Sequence, residues 1–66
     1  MQNVYYVEVT PGNGVTYIKR SSHDEASDEN IPSPYFVNGI FRCWVRAYNT
    51  EQARTAAQVS LIEELT

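Results

Sequence analysis

Cysteine and histidine are nearly missing from this 66-residue chain, which has one of each, Cys43 and His23. A lone cysteine cannot form a disulfide within the chain, so a reducing, cytoplasmic setting is the expectation. A Cys–His nucleophile pair would need Cys43, in an apolar strand row, to meet His23, in a polar loop. Ser21, Ser22 and His23 adjoin in sequence but lack the ordered, partly buried setting of a catalytic triad. Long apolar runs are also lacking. No stretch approaches the ~18 residues of a membrane span, and no basic segment leads an apolar one as in a secretory signal. The glycine-bearing run Pro11-Gly12-Asn13-Gly14 precedes a strand, so no helix N-terminus is there to cradle phosphate. His23, Asp24, Glu25, Asp28 and Glu29 match no EF-hand spacing, which excludes that kind of calcium loop. The absences point away from catalysis, cofactors and metals, and toward binding.

What is present is an acidic and moderately apolar composition. Eight acidic against five basic residues give a net charge of −3, and the pI is near 4.8. That balance disfavours a protein gripping nucleic acid mainly by phosphate neutralisation, and favours a protein partner, particularly a basic one. Apolar residues form 42% of the chain, too many for a disordered segment. Sixty-six residues make one domain, spanning 1–66. A chain of this size buries only about 60% of the surface it exposes when unfolded, so its stability is modest.

Residues 4–10, VYYVEVT, and 15–20, VTYIKR, read as strands joined through a four-residue turn into a hairpin. Residues 21–30, SSHDEASDEN, hold no large apolar side chain and read as a solvated acidic loop. Within it, Ser22 and Glu25 have the spacing of a capping box, enough for one helical turn. Asn38-Gly39 separates a short strand at 35–37 from a long one at 40–48, a strong hairpin signal. A helix over about 50–65 follows, capped by Asn49 or Thr50. The fold class is α+β: an antiparallel sheet of three or four strands with one C-terminal helix on a single face.

Alternation then divides the strands. Glu8 pairs with Tyr17, Val7 with Ile18 and Tyr6 with Lys19. Tyr5, Val7, Val9 and Ile18, with Phe41, Cys43, Val45 and Ala47, form the face beneath the helix. The opposite face carries Tyr6, Tyr17 and Trp44 among Lys19, Arg42 and Arg46, an open aromatic and cationic surface of the kind enriched at binding hot spots. On the helix, Ala53, Ala57, Leu61 and Leu65 make one ridge. Ala56, Val59 and Ile62 lie on another side.

Three readings follow. In the leading one, Asp24, Glu25, Asp28 and Glu29 imitate backbone phosphates and occupy a cationic groove on a nucleic-acid-handling protein, aided by the aromatic face. In size, acidity, missing catalytic groups and sheet-plus-helix pattern the chain resembles the small inhibitor proteins of phages, such as anti-CRISPR proteins. Residues 45–53, VRAYNTEQA, resemble the strand-to-helix junction of small phage and mobile-element domains. The resemblance implies a steric or DNA-mimicking inhibitor of a host defence complex such as CRISPR-Cas, acting in the host cytoplasm. The second reading is a single-stranded nucleic-acid binder that stacks bases on Tyr6, Tyr17 and Trp44, with Lys19, Arg42 and Arg46 at the backbone. The third is a dimeric assembly piece held through Val59 and Ile62.

Overall fold

Two tight turns set the sheet. In the first, the Asn13 N–H donates to the Thr10 carbonyl at 2.9 Å, with Pro11 and then Gly12 at φ +91° between them. Proline followed by a residue of positive φ is the signature of a type II turn. In the second, Asn38 at φ +52° and Gly39 at φ +78° give the type I′ geometry that suits strand twist. A computed structural model describes residues 2–22, 24, 26, 27 and 29–66. Among these, β1 (Asn3–Thr10), β2 (Gly14–Arg20), β3 (Tyr35–Val37), β4 (Ile40–Ala47) and α1 (Thr50–Leu65) follow in chain order.

The strands form one antiparallel sheet in the order β2-β1-β4-β3. The pairs Glu8–Tyr17, Val7–Ile18 and Tyr6–Lys19 hold as expected, but by a different route. Gly14 belongs to β2 and pairs with Thr10, so the turn is one residue shorter than expected. The register then shifts between Val9–Val15 and Glu8–Tyr17, leaving Thr16 as the extra residue of a bulge. Its hydroxyl lies 3.3 Å from that of Thr10 and donates to the Glu8 carbonyl at 3.4 Å.

Alternation holds across β1 and β4. Val7 lies beside Cys43, Val9 beside Phe41 and Tyr5 beside Val45. Tyr5, Val7, Val9, Phe41, Cys43 and Ala47 are all buried with Ala53 and Ala57 of the helix. Those two alanines are fully covered, and their small side chains let the helix backbone lie close to the sheet. Val15, Ile18, Val45 and Leu61 close the margin.

Asn49 is the helix cap. Its backbone is extended, and its Oδ1 accepts from the Gln52 N–H at 2.8 Å. Gln52 reaches back to accept from the Tyr48 N–H at 3.0 Å. This is a capping box displaced by one residue, and it fixes the exit angle of the chain. β4 stops at Ala47, leaving Tyr48 exposed in the turn, outside the strand where it was expected. Leu65, the last residue of the expected ridge, is exposed as well, since the helix runs past its cover there.

Candidate functional site

The face of the sheet away from the helix holds one aromatic ring from each strand. Tyr17 of β2, Tyr6 of β1, Trp44 of β4 and Tyr35 of β3 follow one another, with successive ring centroids 6.1, 5.1 and 6.0 Å apart. Such tilted and edge-on neighbours lie within the range of favourable aromatic contact. Around them sit half-buried Lys19 and Arg42 and exposed Arg46. The Lys19 ammonium is 6.0 Å from the centre of the Tyr6 ring, at the limit of cation–π attraction.

Two polar contacts fix the row. The Tyr6 hydroxyl donates to the Glu8 carboxylate at 2.6 Å. Burial first, and that bond second, push the Tyr6 phenol well above its ordinary pKa. Across the row, a side-chain hydrogen bond to Tyr35 raises the Arg42 guanidinium above its already high value. Both effects favour the protonated forms, a neutral phenol and a charged guanidinium.

The face is less open than the sequence suggests. Tyr6 is only 9% exposed, and the Trp44 indole N–H is sealed from solvent, with no acceptor among the described residues. Val4, on the same face, is buried too. These residues stand apart from the cluster under the helix. β2 and β3 are opposite edges of the sheet, so the chain between them passes from one edge to the other, and the helix occupies one face. Ala26, midway along that crossing, is buried at 4%. The Ala26 N–H donates to the Ser22 carbonyl at 3.1 Å. Ser27 and Asn30 exchange backbone hydrogen bonds just beyond it. Ala26, in the segment read as a solvated loop, is therefore packed away from solvent.

Asp24 and Glu29 are exposed on the segment between β2 and β3. Glu25, Asp28 and His23 lie outside the described residues. The rings that remain open are those on the two edge strands, Tyr17 at 48% and Tyr35 at 45% exposure. Tyr35 was missed as a site residue, yet its signal was present. A two-residue Asn38-Gly39 loop pairs Val37 with Ile40 and so Tyr35 with Arg42, which puts it on the ring face.

Val59 and Ile62 are 51% and 61% exposed on the outer side of the helix. An open groove between Arg46 and the first helical turns is lined by Asn49, Glu51, Gln52, Thr55 and Ala56. Cys43 is buried beneath the helix, where its thiol approaches the Val7 carbonyl at 3.7 Å, and burial pushes its pKa up to about 11. No group of three or more His, Cys, Asp or Glu among the described residues has the arrangement to hold a metal ion. No helix among them is long and apolar enough to cross a membrane. Compared with protein-family models, curated proteins and solved structures, the chain matches none.

Proposed function

We propose that this chain is a non-catalytic binding protein that engages a protein partner through its ring face and the acidic segment between β2 and β3. The supporting observation is the uneven exposure of the four rings. Tyr6 is buried and Trp44 half-buried with its indole N–H sealed, while Tyr17 and Tyr35 stand half open on either side of them. A base-stacking surface needs successive ring faces in the open, and here the two central rings act as buttresses. Half-exposed tyrosines on a rigid support, beside an arginine, are the usual anchors of a protein interface. The exposed carboxylates Asp24 and Glu29 favour a basic partner and a salt-sensitive association rate. With the resemblance to small phage inhibitors, this reading extends to occupation of a cationic nucleic-acid-binding site on a host defence complex.

The test is affinity capture from bacterial lysate with the wild-type chain and two variants. One is Tyr17→Ala with Tyr35→Ala; the other is Asp24→Asn, Glu25→Gln, Asp28→Asn and Glu29→Gln together. A protein retained by the wild type, shed by both variants and shed again at high salt is the expected result. Equal retention by folded forms of all three chains overturns the assignment of this surface.

A further inference from the structure

The two edges of the sheet are not equally protected. An edge strand presents backbone N–H and C=O groups able to pair with another chain, and natural sheets blunt that edge with charge, bulges or proline. β2 has both a bulge at Thr16 and a basic end, Lys19-Arg20. β3, Tyr35-Phe36-Val37, has neither charge nor bulge.

The register says which groups β3 offers. A two-residue loop closes on a hydrogen-bonded pair, here Val37–Ile40, and antiparallel pairs alternate. Tyr35–Arg42 is then the next bonded pair, and Phe36–Phe41 the unbonded one between them. The Phe36 N–H and C=O therefore point away from β4, and among the described residues neither has a hydrogen-bond partner. The Phe36 side chain, 5.0 Å from the Phe41 ring, is 45% exposed. The helix rests on β1, β2 and β4 but does not touch β3, which leaves a step beside Phe36. Gln58 lies close to Gly14 of β2, so Ala56, on the opposite flank of the helix, is on the side of that step.

We infer that the free edge of β3 pairs with the same edge of a second copy of this chain, antiparallel about a two-fold axis at Phe36. The middle residue of a three-residue strand carries the outward donor and acceptor, so the two-fold matches N–H to C=O twice with no further partner needed. The Phe36 rings then face each other between two helix flanks, and the apolar step is covered from both sides. Pairing stops there. Pro34 has no N–H to give, and Asn38, at φ +52°, has left the extended region. So short a contact falls below the area of a standard stable interface, giving a weak dimer with Kd of about 10 µM to 1 mM. The ring row of each copy meets the other at its Tyr35 end, which doubles the candidate binding face.

The experiment is sedimentation equilibrium from micromolar to millimolar concentration, with amide hydrogen exchange at both ends of the range. The expected result is a reversible dimer in which Phe36 N–H protection rises with concentration, while Tyr35 and Val37, already bonded to β4, change little. Phe36→Pro removes a donor that the monomer does not use together with the ring beside Phe41, and should weaken the dimer at least tenfold while the circular dichroism stays native. If that variant fails to fold, the wild-type exchange pattern decides alone. A monomer throughout, or Phe36 exchange independent of concentration, overturns the inference. So does a dimer abolished by Ile62→Lys and untouched by Phe36→Pro, which would place the contact on the outer face of the helix.

Discussion

Tyr6→Phe removes one oxygen from the middle of the ring row and leaves the ring in place. That oxygen donates to the Glu8 carboxylate at 2.6 Å from a residue 9% exposed. A hydrogen bond to a charged group contributes roughly 1.5–3 kcal/mol, but half-buried Glu8 regains water when the partner goes, so the expected loss is about 1–2 kcal/mol. For a domain of this size that lowers Tm by roughly 5–10 °C. Glu8→Gln keeps an acceptor oxygen and should cost less. The double variant should show coupling of about 1 kcal/mol between the two sites. The same bond has an alkaline signature. The Tyr6 phenol is held well above its ordinary value of 10, so the folded state keeps a proton that the unfolded chain loses near that pH. The associated stability is complete below pH 10 and is lost as pH rises above it. Cys43, raised from 9 to about 11, weakens the fold over an overlapping window, so the comparison belongs in a Cys43→Ala background. Urea unfolding at pH 7 and from pH 9 to 11 measures both effects. A Tyr6→Phe variant within about 0.3 kcal/mol of its parent, with an unchanged alkaline limb, would refute the reasoning.

Other perturbations reach the core and the cap. Phe41 is fully buried, and Phe41→Ala should cost about 3–5 kcal/mol. A domain of this length has about 3–10 kcal/mol in total, so the variant should be largely unfolded by circular dichroism at 25 °C; a native spectrum counts against Phe41 as the centre of the core. Asn49→Ala removes the acceptor for the Gln52 N–H and should lower stability by about 1 kcal/mol in urea unfolding, whereas Asn49→Asp should not. The Cys43 thiol, 1% exposed, should react with a disulfide reagent at pH 8 only as fast as the domain opens, and at once in denaturant.

The sequence told much about the sheet and little about the chain joining its edges. Period-two alternation in 40–47 separated Phe41 and Cys43 from Arg42 and Trp44 because one face must hide from water and the other need not. The Glu8–Tyr17 pairing survived a misjudged turn, since the bulge at Thr16 restored the register that the shorter loop had shifted. The exposed Val59 and Ile62 were also legible, as a helix covering a sheet hides one stripe only. The burial of Ala26 and Tyr6 was not legible. Alanine is too small to interrupt a polar run, and the strand order β2-β1-β4-β3, which sets β2 and β3 at opposite edges, is not given by pattern alone. Without it Tyr6 looked open.

Trp44 reports most directly on whether the ring face stacks bases or braces a protein contact. Single-stranded oligonucleotides titrated at low salt, with emission from this sole tryptophan as the signal, should leave its intensity unchanged at micromolar concentrations. Saturable quenching by those oligonucleotides, lost in Trp44→Phe and weakened by added salt, would contradict the account.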